Sequence, residues 1–413
     1  MKPKILFKGF EDDVWISSQF EEIFELIKNN SLSRAELSSE GRIGNIHYGD
    51  VLVKYGECLD TSSDSITYIH NDEIGEDLYR RGALKSGDII FADAAEDNTV
   101  GKCSELICND EEQIVSGLHT IACRPKIEIT KRYLGYYLNS NAYHNQLLPH
   151  IQGTKVSSIS RKAIVTTSIV YPFAQRVQEL IATYFYRLDN LISTSTSRLA
   201  SLKQVKEASL QAMFPQKGET VPKIRFKGFE GEWVITKAAE IFKTVNERNF
   251  SGLPVLSATQ DKGMVTRESI GYNIFHDKAN ESTYKHIRPG QFVMHLRSFQ
   301  GGFAHSAIEG ICSPAYTIME FKDKEVNHDL YWKYVLASKH FIKSLEMITY
   351  GIRDGRTISF DEFKEMVFLV PKVEEQQHIA SYFTSLDKQI ALQTQRLEKL
   401  RQIKAACLDK MFV

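Results

Sequence analysis

The chain has 413 residues, which at about 150 residues per domain predicts two or three folded units. Hydrophobic residues make up 42% and charged residues 25%, which excludes wholesale disorder and leaves enough apolar side chains for a core in each unit. The 51 Lys and Arg residues balance 52 Asp and Glu residues, so no global positive field indicates nucleic acid or membrane. Any surface for nucleic acid must therefore be local.

Neither membrane spans nor disulfides are predicted. No run approaches the roughly 18 apolar residues of a membrane helix, and MKPKILFKGFEDD at the N-terminus lacks the apolar core of a signal peptide. The six cysteines form no CxxC pair, which is typical of reduced thiols. We therefore expect a cytoplasmic protein.

The first predicted element is an opening segment that recurs later in the chain. PKILFKGFE from Pro3 and PKIRFKGFE from Pro222 agree at eight of nine positions, and a tryptophan follows each of them, Trp15 or Trp233. We interpret both tryptophans as core residues that anchor these segments rather than as platforms for base stacking. The repeat predicts that the chain is two copies of one plan.

The middles of the two copies diverge in sequence. KSGDIIFADA from Lys85 parallels RPGQFVMHLR from Arg288, and each has a turn glycine before a short alternating run that predicts a strand. SGLHTIACRP from Ser116 parallels CSPAYTIMEF from Cys312 in the same way. The middles are therefore predicted to share one mixed α/β fold with different loops.

The tails of the two copies match again, because IATYFYRLD from Ile181 corresponds to IASYFTSLD from Ile379. Each tail is about 40 residues long without internal Pro or Gly, which predicts a helix of roughly 60 Å. A helix that long exceeds what its own domain can cover, so we expect the two helices to pair as a coiled coil. The apolar positions at spacings of three and four predict these pairing residues: Ile181, Leu188, Leu191, Leu202, Val205, Ile379, Phe383, Leu386, Ile390, Leu397, Leu400 and Ile403.

These patterns predict the domain organisation. The first globular domain spans residues 1–165 and the second spans residues 222–365. The two helices occupy residues 172–214 and 371–413, and residues 215–221 form the linker.

Motifs of catalysis are absent from the sequence. None of the ten prolines is followed by Pro or Asp, which excludes the Asn-Pro-Pro-Tyr motif of adenine methyltransferases and the Pro-Asp start of a nuclease carboxylate cluster. The phosphate-binding GxxxxGK[ST] loop, HExxH and GxSxG do not occur either. We therefore expect no catalysis. An enzyme with an unfamiliar site stays an alternative, although no paired catalytic constellation recurs in the two copies.

Four residues have the chemistry of zinc ligands: Cys103, Cys108, His119 and Cys123. If CSELIC is a strand, however, its two thiols point to opposite faces, and copy two has nothing equivalent. We interpret these cysteines as small buried thiols and predict no metal site.

Two variable middles on two repeated helices, with both PKIxFKGFE segments, resemble the DNA-specificity subunit of type I restriction-modification systems. The resemblance covers essentially all 413 residues. It also rests on PKVEEQQ from Pro371, RSFQGGFAHSAIEGICSPAYTI from Arg297 and GDVLVKYGECLDTSSDS from Gly49. Copy one departs at PFAQRVQ from Pro172, which lacks the acidic pair of copy two but keeps a glutamine at Gln178.

The resemblance implies that each middle is a target recognition domain that reads one half of a bipartite, asymmetric DNA sequence. The helices would pair antiparallel and dock two methyltransferase subunits, and a restriction and translocase subunit would complete the complex. S-adenosylmethionine, ATP and Mg²⁺ are expected on those partners, with no cofactor on this chain. The host would be bacterial or archaeal.

Loops on a repeated scaffold are where sequence reading is expected, and their polar side chains suit base edges and phosphates. Each candidate has the alternative interpretation of a solvated surface residue. The candidates are Lys54, Tyr55, Asn98, Lys102, Thr154 and Lys155 in copy one, and Lys262, Arg267, Arg297, Ser298, Gln300, Arg353, Arg356 and Thr357 in copy two. Two further functions stay open: the reader subunit of a type IIB-like or solitary modification system, and a coiled-coil protein adaptor.

Overall fold

The computed structural model of the chain describes residues 2–153, 155–216, 218–259, 262–270, 278–294, 302–345 and 359–413. The chain divides into two compact units. The first unit contains residues 1–196 and 395–413, and the second contains residues 197–394. Each long C-terminal helix of the repeat therefore contributes residues to both units.

The first unit mixes short strands and helices. Its strands are β1 Trp15–Gln19, β2 Phe24–Ile27, β3 Leu37–Ser38, β4 Ile43–Ile46, β5 Cys58–Asp60, β6 Thr67–Ile69, β7 Ile89–Ala92, β8 Ala94–Ala95, β9 Cys103–Ile107, β10 Gln113–Ser116, β11 Thr120–Pro125, β12 Ser157–Ser158 and β13 Ser168–Pro172. Its helices are α1 Phe20–Ile23, α2 Tyr48–Val53, α3 Asp72–Gly82, α4 Tyr133–Leu138, α5 Asn141–Leu147, α6 Arg161–Val165 and the start of α7 Gln175–Ala212, with 3₁₀ turns at Arg34–Glu36 and Leu148–His150.

Two sheets form the body of the first unit. The larger has the order β2-β11-β7-β9-β5, and the smaller has the order β10-β4-β6-β3. The central strand β7, with the sequence IIFA, is buried along its whole length, as expected for a run without polar residues. A separate antiparallel ribbon pairs β1 with β13, so that Trp15 lies opposite Pro172 just before α7 begins.

The second unit repeats this plan. Its strands are β14 Val234–Lys237, β15 Phe242–Val245, β16 Val255–Thr259, β17 Gly263–Thr266, β18 Lys285–Ile287, β19 Phe292–Met294, β20 Phe303–His305, β21 Gly310–Cys312, β22 Thr317–Phe321 and β23 Val367–Val370. Its helices are α8 Ala238–Ile241, α9 Asp329–Leu336, α10 Lys339–Leu345, α11 Phe360–Phe363 and most of α12 Val373–Lys410, with 3₁₀ turns at Arg267–Ile270 and Lys278–Thr283.

The sheet order confirms the predicted mixed α/β duplication. The order β15-β22-β19-β20 of the second unit repeats β2-β11-β7-β9 of the first, and the ribbon β14–β23 repeats β1–β13. The second small sheet has the order β17-β16-β21-β18. Trp233 is buried in the core of the second unit, and Trp15 packs partly buried against the core of the first.

One ion pair in the second copy accounts for two sequence differences between the copies. Arg225 is the single mismatch in the repeated opening segment, where copy one has Leu6. Its guanidinium Nε lies 2.7 Å from Glu375 Oε1, and Nη2 lies 2.7 Å from Oε2. Glu375 belongs to the acidic pair that copy one lacks, and Val177 stands at its position there. The second copy thus has a bidentate ion pair where the first has two apolar residues.

The glutamine at the start of each long helix makes the same buried bonds in both copies. Gln178 Oε1 accepts from Thr130 N at 2.9 Å, and its Nε2 donates to Pro172 O at 2.9 Å. Gln376 accepts from His328 N at 2.9 Å and donates to Pro371 O at 3.0 Å. Each glutamine therefore ties its helix to the preceding strand and to its domain.

The helices α7 and α12 pair antiparallel within each unit, as predicted. In the first unit, Tyr184 of α7 bonds to Cys407 of α12, and Asp189 lies beside Lys404. In the second unit, Ser209 of α7 bonds to Tyr382 of α12. Residues early in α7 therefore contact residues late in α12, and residues late in α7 contact residues early in α12.

The residues that follow each helix complete the core of the opposite copy. Phe412, after α12, stacks on Phe185 of α7 with ring centroids 5.8 Å apart, and its ring also packs edge-on to Tyr137. Phe214, after α7, stacks on Phe383 of α12 at 6.1 Å. Each unit therefore buries aromatic residues from both tails of the repeat.

A three-residue joint connects each domain to both helices, and we call it the Lys–Asp–Tyr joint. In the first unit, Lys404 Nζ lies 2.6 Å from Asp189 Oδ1, and Tyr136 OH donates to Asp189 Oδ2 at 2.8 Å. Glu57 adds a second carboxylate 2.5 Å from the same Nζ. Burial raises the pKa of Asp189 above its ordinary value, so Lys404 is needed to stabilise its charge.

The equivalent positions of the second unit hold the same joint. Lys206 Nζ lies 2.6 Å from Asp387 Oδ1, and Tyr334 OH donates to Asp387 Oδ2 at 2.8 Å. The lysine comes from one helix, the carboxylate from the other and the tyrosine from the domain. Three separate elements are thus held by one set of charge-assisted bonds.

Most predicted pairing residues are at least partly buried, but three are not. Ile181, Leu188, Ile379, Phe383, Leu386 and Leu397 are buried, while Leu202, Ile390 and Leu400 are half-buried. Leu191 and Val205 are each 46% exposed and Ile403 is 37% exposed, so their assignment to the buried stripe was wrong. Because a straight α-helix has 3.6 residues per turn, a heptad repeat of apolar residues shifts by about 20° around the helix with each heptad. Residues at the edge of the apolar stripe therefore turn away from the partner helix.

We predict that removing the central cation of the first joint destabilises the protein. Lys404→Met leaves the carboxylates of Asp189 and Glu57 without a cation and should cost roughly 2 kcal/mol of unfolding free energy. Lys399→Met, at an exposed position of the same helix, is the matched control. Calorimetric unfolding of the full chain would measure both, and equal midpoints for the two variants would contradict the prediction.

Stability should also depend on pH through Glu105. This side chain is buried, and its oxygens accept from the backbone N–H groups of Arg132 and Gly135 at α4. Burial raises its pKa to about 7, from 4.5 in the unfolded chain. Between those values the unfolded state releases a proton that the folded state keeps, so stability falls as pH rises, by about 3 kcal/mol across the window. Urea unfolding from pH 4.5 to 8 should show this decline, and Glu105→Gln should flatten it.

Candidate nucleic-acid interface

Two loops that the sequence analysis selected lie side by side in the first unit. The strand β8 leads into the loop with Asn98, and β12 follows the glycine loop with Lys155. These strands pair antiparallel, with Ala95 opposite Ser157. Asn98 and Lys155 are both exposed. Strand pairing therefore brings together loops that are more than 50 residues apart in sequence.

A third loop, between β10 and β11, meets the other two at Asp93. The backbone N–H of Asp93 donates to His119 O at 3.0 Å, and Ile159 N donates to Asp93 O at 2.8 Å. The side chains also meet, because His119 Nδ1 lies 3.1 Å from Asp93 Oδ1. We call this meeting of residues 93–99, 117–119, 151–153 and 155–160 the loop junction.

His119 is held in an unusual conformation at the loop junction. Its φ of +53° lies in the left-handed region that residues with a side chain seldom adopt. The edge of its ring contacts Tyr48, with ring centroids 5.3 Å apart, and Tyr48 packs on His47 at 4.6 Å. The ring is nevertheless 52% exposed, so it can reach a ligand.

Cationic and amide side chains surround the loop junction. Asn29 Oδ1 accepts from Arg161 Nη2 at 2.5 Å, and Arg161 begins α6 directly after the glycine loop. A cavity of about 490 Å³ adjoins the loop junction and is lined by Asn29, Arg81, Asp93 and His119 among others. Arg161 and Lys155 thus supply exposed cations at the loop junction, while Arg81, which pairs with Asp77, lines the cavity. Cations on a polar surface are the chemistry that phosphates require.

Two predicted contacts in copy one are corrected by the structure. Tyr55 is only 2% exposed, packs in the core and donates from its hydroxyl to Ser65 O at 3.3 Å. Lys102 Nζ donates to Leu52 O at 2.8 Å and to Tyr55 O at 3.0 Å. Lys102 therefore stabilises the C-terminal end of α2, where free carbonyls attract a cation. Neither side chain is available to DNA.

The remaining predicted residues of copy one stay predictions. Lys54 is exposed directly after α2, next to the ring of Tyr55. Thr154 lies outside the described residues.

In the second unit, two of the predicted residues can be placed. Lys262 is exposed at the turn between β16 and β17, where its N–H donates to Thr259 Oγ1 at 3.2 Å. Arg267 is half-buried, and its Nε donates to Ser257 Oγ at 3.3 Å. The other candidates lie outside the described residues: Arg297, Ser298, Gln300, Arg353, Arg356 and Thr357.

The described residues contain no group of three or more His, Cys, Asp or Glu side chains that could hold a metal ion. Cys103 and Cys123 are buried in the hydrophobic core, and burial raises the pKa of both thiols. His119, which the sequence analysis weighed only as a zinc ligand, bonds to Asp93 at the loop junction instead.

Five residues of this interface were missed by the sequence analysis: Asn29, Arg81, Asp93, His119 and Arg161. No motif marks them, and they come from five different segments. For His119, the parallel between SGLHT and CSPAY placed it at a turn, but its backbone conformation has no sequence signal. Only contacts between distant segments bring these side chains together.

Two sheet-rich units, each built on both long helices, define the class of protein by its fold: a duplicated α/β protein on an antiparallel helix pair. Polar loops gather at one junction in its first unit. Residues 230–402 match the family model of the type I restriction modification DNA specificity domain. No curated protein sequence matches the chain significantly. None of the helices in the described part of the chain carries an apolar run that could span a bilayer.

Solved structures share this fold along the whole chain. The S subunit of the type I restriction-modification system from M. genitalium matches with a TM-score of 0.61 at 12% identity, covering 100% of this chain and 99% of that one. A chain solved for the assembly and conformational transition of the type I R-M system matches with a TM-score of 0.53 at 16% identity, covering 99% of each. The resemblance that the sequence predicts is thus found in the family model over residues 230–402 and, as a shared fold, along the whole chain.

Lys155 and Lys102 should respond to substitution in opposite ways. Lys155→Ala removes an exposed cation at the loop junction and should lower the slope of log affinity against log salt by about one unit, without changing stability. Lys102→Ala leaves helix carbonyls without their donor and should cost about 1–2 kcal/mol of stability, without changing the salt slope. Duplex titrations at several salt concentrations and thermal unfolding would measure both. The reverse pattern would contradict these assignments.

Proposed function

We propose that the chain is the DNA-recognition subunit of a type I restriction-modification complex. Each unit would read one half of a bipartite, asymmetric target, and the chain itself would catalyse nothing. The observation that carries the proposal is the duplicated plan, in which scaffold contacts repeat while the polar loops diverge. A protein that reads two different half-sites needs that combination of like domains and unlike loops.

The helix pair supports the bipartite target. Two like helices that pair antiparallel are related by an approximate two-fold axis, and readers with such symmetry contact half-sites in opposite orientation. Each helix has 38 residues, or about 57 Å at 1.5 Å per residue. That length limits the half-site centres to less than about two duplex turns apart, at roughly 34 Å per turn.

The partners follow from the same proposal. Two methyltransferase subunits would dock on the chain and bring S-adenosylmethionine, and a restriction and translocase subunit would bring ATP and Mg²⁺. The complex would work in the cytoplasm of a bacterial or archaeal cell. The near-neutral charge of the chain, with 51 basic and 52 acidic residues, supports a division in which partners add phosphate contacts.

Methylation mapping tests the proposal. We would co-express the chain with the methyltransferase encoded beside it and locate methylated adenines by single-molecule sequencing. Replacing residues 1–160 by the equivalent domain of another specificity subunit should change only one half of the motif, and replacing residues 222–365 should change only the other. Matched changes of length in the helices should change the spacer.

Three outcomes would count against the proposal or part of it. A motif that changes in both halves after one replacement would contradict the assignment of one half-site to each unit. No methylation beside an intact methyltransferase would favour a protein adaptor, which would also show no steep loss of DNA affinity with salt. A bipartite motif without a nuclease subunit in the complex would point to a solitary modification system.

A further inference from the structure

We infer that His119 determines specificity in the first unit, where its Nε2 accepts a hydrogen bond from the exocyclic amino group of a base. The inference rests on the proposed function and deepens it, because it assigns one chemical contact to one residue. Adenine N6 and cytosine N4 are the amino groups that the major groove presents. The ligand class is therefore a base pair that carries one of these donors at a defined position of the first half-site.

The hydrogen bond to Asp93 sets the chemistry of the ring. An ionised carboxylate can only accept, so His119 Nδ1, 3.1 Å from Asp93 Oδ1, must carry the proton. In the neutral ring the other nitrogen then has no proton and acts as an acceptor. Nε2 bonds to no described residue, and the side chain is 52% exposed. An acceptor with a set tautomer is thus presented to solvent at the loop junction.

Three separate contacts hold this acceptor in place. Asp93 bonds both the backbone carbonyl and the ring of His119. Tyr48 packs against the ring edge, and its own N–H donates to Leu118 O at 3.3 Å. Left-handed backbone at a residue other than glycine costs free energy and persists where surrounding contacts impose it. The fold therefore keeps this side chain preorganised, which a reading residue needs.

The surroundings suit a base contact rather than a phosphate contact. Asp93 sits beside the ring and repels phosphate oxygens, whereas the exposed cations Arg161 and Lys155 at the loop junction attract them. Phosphate contacts from these cations would position the duplex on the protein. His119 would then contact the edge of one base in the major groove.

The second copy differs at this position. Aligning SGLHTIACRP with CSPAYTIMEF places Ala315 where the first copy has His119. Ala315 is exposed between β21 and β22, so the position is open to a ligand in both units. Because alanine has no polar side-chain atom, the two units cannot read this position alike. Unlike chemistry at equivalent exposed positions is what an asymmetric target requires.

The test uses the complete complex in a host without adenine methylation. The chain is co-expressed with the methyltransferase encoded beside it, and methylated adenines are mapped on the host genome and on a plasmid library of random inserts. His119→Phe keeps a ring of similar size without nitrogen. At one base pair of the first half-site, methylation of sites with a wrong base should rise roughly 10-fold relative to the correct base. The second half-site should not change.

Two further variants separate reading from folding. His70→Phe, at an exposed position of the same unit outside the loop junction, is the matched control and should keep the wild-type motif. Asp93→Asn leaves the ring without its anionic partner, so Asp93 as a positioning residue should relax the same base pair and no other. Asn tolerates positive φ, so His119→Asn should also relax that base pair if the phenylalanine variant fails to fold.

Each outcome decides between the alternatives. An unchanged motif in His119→Phe, or in His119→Asn where the former does not fold, would overturn the inference. Loss of methylation at all sites by a folded His119→Asn variant would indicate a structural role and overturn it as well. A wild-type complex that methylates no bipartite motif would overturn the proposed function itself, and the inference with it. A bipartite wild-type motif with unchanged variants would leave the proposed function standing alone.

Discussion

The Lys–Asp–Tyr joint is the interaction on which the rest of the structure depends. It combines a lysine from one long helix, an aspartate from the other and a tyrosine from the domain, and it occurs in both units. Because Asp189 and Asp387 are partly withdrawn from water, each needs its cation and its hydroxyl donor. Within each unit, the domain is thus bonded to residues of both helices. The aromatic residues Phe412 and Phe214, which follow the helices, extend this dependence into the two cores.

In this scaffold, the residues that hold the helices to the domains are distinct from the exposed loop residues that differ between the copies. The buried glutamines and the joints recur at equivalent positions, and where Arg225 replaces Leu6 in copy two, Glu375 replaces Val177 to match it. Exposed loop residues such as Asn98 and Lys155 bear no such constraint, because their side chains face solvent. A chain built this way can change a half-site by changing loops, without losing the fold that carries them.

The interface of the first unit follows the same logic. Pairing of β8 with β12 joins two loops, and Asp93 joins the third through His119. Of the predicted DNA contacts, Asn98 and Lys155 are exposed and stay predictions, whereas Tyr55 and Lys102 serve the core and a helix end. Residue type and loop position alone do not reveal whether a polar atom is already bonded within the protein.

The sequence by itself determined the duplication, the mixed α/β class, the two long helices and the family resemblance. These features depend on local periodicity and on repeated segments, which are visible without coordinates. Only the tertiary structure decided which apolar positions face the partner helix, which cations are free at the surface, and which loops meet. Those properties come from contacts between residues far apart in the chain, such as Lys404 with Glu57 and His119 with Asp93, and such contacts leave no mark on local sequence.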